Sequence, residues 1–175
     1  MINRSWLAFS RAVKRFNLLL GYLSAILILV CTLVLVYEVL TRYLIKVSND
    51  WVIELSIFLL IAATFLAAAY TQAKRGHVGI EVLDEVLSKR ANRWRYLLAD
   101  TLSLLVCLFV AVNAWIFFYK AWDLGWATGS TWAPPLWIPY FFMAFGMSTL
   151  CLQYLIQIVE DLFVPAPQQH AVLGD

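Results

Sequence analysis

Three ionisable residues, Glu38, Arg42 and Glu54, stand where two long apolar stretches of the chain approach each other. Glu38 and Arg42 are four residues apart, so a helix places them on one face, and Glu54 follows after a short polar turn. Two carboxylates can hold a cation or a proton, which is the chemistry of ion-coupled transport. We favour a structural network in which Arg42 is shared by both carboxylates, because coupling sites generally need several oxygens at mid-membrane.

Residues for other kinds of chemistry are scarce in the apolar stretches. His77 and His170 are the only histidines, and neither lies within such a stretch, which argues against a bis-histidine haem, a catalytic zinc ion and a serine nucleophile activated by histidine. Cys31, Cys107 and Cys151 form no CxxC pair and are expected to be buried as small apolar side chains.

A few uncharged or acidic polar residues remain inside the apolar stretches. Asn113, Gln153 and Gln157 lie deepest, and we expect them to form hydrogen bonds between helices. Asp100 is close in sequence to Arg93 and Arg95, so we expect it to be solvated or paired at the membrane surface.

The elements that carry these residues are membrane spans. The chain has 175 residues, 63% of them hydrophobic, and a mean hydropathy of +0.78, which is too much apolar surface for a soluble domain of this size. Since crossing a bilayer takes about 20 apolar residues per helix, the sequence predicts one all-α domain over 1–162 with four transmembrane helices. The predicted spans are about 17–43, 51–71, 96–121 and 137–162.

Three segments between and after the spans have distinct patterns. Asp50 is a plausible N-cap of the second span. Residues 78–90 combine apolar positions at helical spacing with an acidic face, which predicts a short amphipathic helix in the plane of the membrane interface. The tail, 163–175, is predicted to be cytoplasmic and disordered.

The distribution of positive charge predicts the orientation. The N-terminal segment and the connection between the second and third spans carry ten lysines and arginines, whereas the other two connections and their helix ends carry three. The positive-inside rule therefore places both termini in the cytoplasm.

Four short segments together resemble the small membrane subunit (DctQ type, or Q subunit) of TRAP transporters. These are Glu38-Val-Leu-Thr-Arg42-Tyr43, Trp51-Val-Ile-Glu54-Leu55, Arg75-Gly76-His77-Val78-Gly79-Ile80, and Pro135-x-Trp137-x-x-Tyr140. The resemblance extends from about Phe16 to Leu162. On this basis we expect structural or subunit-interface roles for Glu38, Arg42, Trp51, Glu54, Arg75 and His77.

The resemblance implies a non-catalytic subunit of an ATP-independent importer in the bacterial inner membrane. Its partners would be a large membrane subunit (M subunit), which binds sodium ions and moves the substrate by an elevator-like movement, and a periplasmic substrate-binding protein (P subunit). The imported solutes would be organic acids such as C4-dicarboxylates or sialic acid. The resemblance implies no cofactor in this subunit and no nucleic-acid partner, and membrane lipids would surround it.

Two other functions are compatible with an all-α membrane chain. The first is a membrane anchor for a redox enzyme, which would show a bound chromophore or quinone. The second is a small stand-alone transporter, for which Glu38 and Glu54 would be the coupling site.

Overall fold

The computed structural model describes residues 4–47, 49–74 and 89–163. They form four α-helices: α1 (Arg4–Leu44), α2 (Asp50–Ala73), α3 (Lys89–Asp123) and α4 (Trp137–Phe163). Each helix is long and apolar enough to cross a membrane. The predicted all-α membrane fold is therefore confirmed.

Two of the helices extend well beyond the spans predicted from hydropathy. α1 contains 41 residues and is about 61 Å long, twice the thickness of the hydrocarbon core of a bilayer. It begins at Arg4 rather than near Asn17, because the charged and polar residues before Asn17 are compatible with a helix although not with lipid. α3 likewise begins at Lys89, seven residues before the predicted span.

Several predictions fall outside the described residues. Nearly all of the predicted amphipathic helix at 78–90, the tail beyond Phe163, and the two predicted interface residues Arg75 and His77 lie there.

The helices pack as a row in the order α1, α2, α4, α3. α2 contacts α1 on one side and α4 on the other, α3 packs against α4, and α1 also touches α4 over a small area. We call the end that carries the α1–α2 turn and the α3–α4 loop the loop end, and the opposite one the termini end. α2 and α4 run parallel from the loop end to the termini end, so the two central helices present the same ends to the same membrane surface.

Small residues allow the central helices to approach closely. Ala62, Ala63 and Ala69 of α2 are at most 3% exposed. On α4, a Cβ atom placed on Gly146 would lie only 2.4 Å from the carbonyl oxygen of Phe65. Close packing replaces the hydrophobic effect as the force between helices in lipid, so the approach of Gly146 to Phe65 determines where α2 and α4 meet.

The helix ends at the loop end are set by local chemistry. Asn49, rather than the predicted Asp50, is the N-cap of α2, and Asp50 begins the helix, where its charge complements the helix dipole. α3 ends at Asp123; Gly125, two residues later, adopts a φ of +61°, and Trp126 N–H donates to the Ala121 carbonyl as in a Schellman motif.

Candidate functional site

Glu38 is the centre of a polar cluster at the loop end. The residue is 6% exposed although it lies near the end of α1. Its Oε1 atom forms an ion pair with Arg42 Nη2 at 3.2 Å and accepts a hydrogen bond from the Asn49 backbone N–H at 3.3 Å. Its Oε2 atom accepts from Asn49 Nδ2 at 3.1 Å. One carboxylate thus ties the end of α1 to the N-cap residue of the next helix.

Asn49 explains how the turn closes. An N-cap side chain usually accepts a hydrogen bond from the first turn of its helix, but the Asn49 side chain makes no such bond to α2. Instead, Asn49 Nδ2 donates to Glu38 and lies 3.3 Å from the Thr41 hydroxyl oxygen. The side chain therefore fixes the angle between α1 and α2 rather than the start of α2 alone.

Arg42 contributes to this cluster from the surface. Its side chain is 58% exposed, whereas that of Glu38 is 8% exposed. The predicted pairing of Arg42 with Glu38 is present in the structure. Glu54 takes a different position, in a cleft between α2 and α4, so the three charges do not form the single shared network that the sequence suggested.

Glu54 lies one turn into α2. Its Oε2 atom is buried and has no hydrogen-bond partner among the described residues. The cleft around it is lined by Ile57 and Phe65 of α2 and by Tyr140 and Met143 of α4. A carboxylate thus lies at the loop end of a groove whose other lining residues are apolar apart from the hydroxyl groups of Thr128 and Tyr140.

Trp51 packs on the other side of α2. Its ring is tilted against Tyr37 of α1, with centroids 6.5 Å apart, and it is 38% exposed. Together with Val30, Leu33 and Val34 it lines a shallow apolar depression between α1 and α2. Such an amphipathic ring near a helix start is typical of the membrane interface.

The α3–α4 loop covers the loop end of the central helices. Residues Ala127 and Pro135 form an isolated antiparallel bridge, and Leu136 N–H donates to the Trp126 carbonyl at 2.8 Å. Beside it, Trp122 and Trp137 pack edge to face with centroids 5.0 Å apart, which joins the end of α3 to the start of α4.

A second polar cluster lies towards the termini end. Asn17 Nδ2 of α1 donates to Gln153 Oε1 of α4 at 2.8 Å, and both residues are fully buried. Gln72 Nε2 of α2 donates to Gln157 Oε1 at 2.7 Å, and Gln157 Nε2 donates back to the Gln72 carbonyl at 2.8 Å. The predicted interhelical role of Gln153 and Gln157 is therefore confirmed.

Charged residues continue this cluster towards the membrane surface. Lys14 Nζ lies 3.2 Å from Glu160 Oε1, and the Ser10 hydroxyl donates to the same oxygen at 2.6 Å. The N-terminal part of α1 is thereby attached to the last turns of α4. We call the residues Ser10, Lys14, Asn17, Gln72, Gln153, Gln157 and Glu160 the termini-end seam.

The other polar residues singled out in the sequence differ from Gln153 and Gln157. Asn113 Nδ2 donates to the Phe109 carbonyl of its own helix at 2.8 Å, so the expectation of an interhelical bond from Asn113 is wrong. Asp100 is 8% exposed and has an interaction partner, so of the two predicted states, solvated or paired, it is not the solvated one. Cys31 and Cys151 are free and buried, and Cys107 is free and half-buried.

One comparison with known proteins decides the family. The family model described as "Tripartite ATP-independent periplasmic transporters, DctQ component" matches residues 31–164, more than three quarters of the chain. The chain belongs to the DctQ family. A search of curated proteins and a search of solved structures each give no match.

The match covers all the predicted interface residues of this DctQ component but not the whole helix row. Glu38, Arg42, Trp51 and Glu54 lie within it, as do Arg75 and His77 outside the described residues. The first half of α1, which supplies Lys14 and Asn17 to the termini-end seam, precedes it. The Glu38 cluster therefore lies within the region matched by the DctQ family model. The termini-end seam combines residues of that region with residues that precede it.

Sequence reasoning missed several residues of these clusters. Asn49 had a usable signal, an amide side chain immediately before an acidic first turn. Gln72 and Asn17 stand at the borders of spans, where a polar side chain is ordinary, so nothing in the sequence distinguishes them from surface residues. Lys14 and Glu160 are 146 positions apart, and only the packing of α1 on α4 brings them together.

Proposed function

We propose that this chain is the non-catalytic small membrane subunit of a tripartite importer, in which it scaffolds a large sodium-coupled membrane subunit. In this proposal the large subunit moves organic acids such as C4-dicarboxylates or sialic acid, and a periplasmic binding protein delivers them. Sodium ions bind the large subunit, and the small subunit uses no cofactor. The observation that carries the proposal is the DctQ family match over residues 31–164.

The placement of polar groups supports a scaffold rather than a conduit. Between the two polar ends, buried hydroxyls bond to backbone carbonyls: Ser24 Oγ joins α1 to α2 by donating to the Ala63 carbonyl at 2.7 Å, and Ser56 Oγ donates to the Val52 carbonyl of its own helix at 2.8 Å. Ion-coupling sites need convergent oxygens near mid-membrane. The described carboxylates lie towards the ends of the helices, where they can hold elements in place.

A scaffold for an elevator must resist tilting and vertical movement. The loop end carries Trp51, Trp122 and Trp137, whose amphipathic rings suit the headgroup region. The termini end carries the cations of α1, which suit an anionic cytoplasmic surface. In this proposal the chain lies in a bacterial inner membrane with its termini end on the cytoplasmic side. Moving the helices along the membrane normal would then place polar groups in lipid.

Reconstitution tests this proposal. Proteoliposomes containing this chain alone should take up no organic acid under a sodium gradient. Proteoliposomes containing the chain, its large membrane subunit and the cognate binding protein should accumulate the acid, and omission of this chain should abolish uptake. Uptake by the chain alone, or full uptake without it, contradicts the scaffold role.

A further inference from the structure

The groove that begins at Glu54 combines a largely apolar lining with a buried carboxylate oxygen that has no hydrogen-bond partner among the described residues. It has a cavity volume of about 320 Å³ and runs between the parallel helices α2 and α4, with the α3–α4 loop at its loop end. Its α2 side is formed by Glu54, Ile57, Ile61 and Phe65, residues at helical spacing along one stripe. Over these three turns the groove is about 16 Å long. We call it the Glu54 groove.

The one charged group that lines the Glu54 groove, the Glu54 carboxylate, lacks a hydrogen-bond donor for one of its oxygens. Glu54 Oε2 is buried and accepts no hydrogen bond from the described residues. Burying a carboxylate oxygen without a donor is costly, and the cost is greater in lipid because acyl chains offer no donor. An ionisable group within a span is accordingly expected to pair with a partner.

The depression beside Trp51 provides a contrast within the same chain. It is lined by Val30, Leu33, Val34, Tyr37 and Trp51, and it contains none of the buried polar atoms that lack a hydrogen bond among the described residues. Lipid acyl chains can cover an apolar surface of this kind without leaving a polar atom unpaired. They can cover the apolar length of the Glu54 groove in the same way, but they offer no hydrogen-bond donor to the carboxylate at its loop end.

We infer that the Glu54 groove receives a transmembrane helix of the large membrane subunit, and that an arginine or lysine near the loop end of this helix pairs with Glu54. This inference rests on the proposed function and deepens it by naming the contact surface and its chemistry. A helix fits a groove between two parallel helices over three turns, and a cation supplies the donors that Glu54 Oε2 lacks. A lipid headgroup would satisfy only the end of the groove.

The first experiment locates the partner by photo-crosslinking. A photoreactive phenylalanine analogue replaces Ile57, which lines the Glu54 groove and is 49% exposed, or Leu33, which lines the Trp51 depression and is 61% exposed. The chain is co-expressed with its large membrane subunit and irradiated in the membrane. We expect a crosslink to the large subunit from position 57 and only lipid adducts from position 33.

The second experiment tests the charge. Glu54→Gln keeps the size of the side chain and removes its charge, and Asp50→Asn does the same at an exposed position one turn earlier in the same helix. We expect Glu54→Gln to lower the large subunit retained per chain during purification at least about tenfold, as for loss of one partner of a buried charge pair. The Asp50→Asn variant should retain as much large subunit as the wild type does. In a charge exchange, Glu54→Lys should lose binding, and changing the partner lysine or arginine of the crosslinked helix to glutamate should restore it.

The outcomes separate this inference from the proposed function. If the wild-type chain binds the large subunit but position 57 reacts only with lipid, the groove is not the contact surface although the scaffold role stands. If Glu54→Gln binds like the wild type, or if Glu54 instead determines the retention of an aminophospholipid, the charge pair is wrong. If the wild-type chain binds no large subunit, both the proposed function and this inference fail.

Discussion

At the scale of single residues, the loop end shows how one carboxylate can organise a turn. Glu38 is buried and accepts three polar contacts, two from Asn49 and one from Arg42. Arg42 is largely exposed, and solvent screens the charge of an exposed ion-pair partner. The two members of this ion pair therefore contribute unequally to stability.

We predict that Glu38→Ala lowers the free energy of unfolding by about 1–3 kcal/mol, because it removes the acceptors of the part-buried Asn49 backbone N–H and Asn49 side-chain amide. Arg42→Ala should cost less than about 1 kcal/mol, as expected for an exposed ion pair. Unfolding by a denaturing detergent in mixed micelles measures both. Equal losses for the two variants would show that the ion pair, rather than the Asn49 contacts, stabilises the turn.

At the scale of elements, the position of α4 on α2 depends on the absence of a side chain. Gly146 lies so close to Phe65 that an added Cβ would overlap a backbone carbonyl. A backbone atom cannot rotate away as the end of a flexible side chain can, so relief requires the two helices to separate. Separation would also loosen the contacts of the neighbouring alanines on α2.

Gly146→Ala should therefore destabilise the chain by about 1–3 kcal/mol, despite the better helix propensity of alanine. Gly129→Ala is the matched control, because an added Cβ there meets nothing within 4 Å. The control should remain within about 0.5 kcal/mol of the wild type. A thermal unfolding midpoint for Gly146→Ala that matches the control would contradict the close approach of α2 and α4.

At the scale of the whole molecule, the termini-end seam joins α1 and α2 to α4, which is distant from both in sequence. Gln72 and Gln157 exchange two hydrogen bonds between α2 and α4, and Asn17 and Gln153 join α1 to α4. At the other end, the Glu38 cluster holds α1 on α2. The row is thus tied by polar contacts at both ends and by small-residue packing between them.

Replacing a seam residue should weaken the whole row. Gln157→Leu should cost about 1–2 kcal/mol of unfolding free energy, and a double-mutant cycle with Gln72→Leu should give a coupling energy of about 0.5–1.5 kcal/mol. Asn113→Leu is the control, since Asn113 bonds only to its own helix in the described contacts. Additive losses for Gln72→Leu and Gln157→Leu would show that the two amides act independently.

Some features of this fold follow directly from local sequence. Four apolar stretches predict four membrane helices, and the spacing of Glu38 and Arg42 predicts their pairing on one helix face. Helix lengths follow less well, because hydropathy reports where lipid is favourable and not where a helix ends. Arg11, Lys14 and Arg15 are part of the α1 helix, although the hydropathy-based prediction places them before the first span.

The sequence by itself determined that this chain is an all-α membrane protein of the DctQ type, because membrane insertion and family motifs are properties of local residue patterns. Only the tertiary structure decided that Glu54 faces α4 rather than Arg42, and that Lys14 meets Glu160. These outcomes depend on the order in which helices pack. In lipid that order is set by close contacts such as Gly146 on Phe65, and hydropathy carries no signal for them.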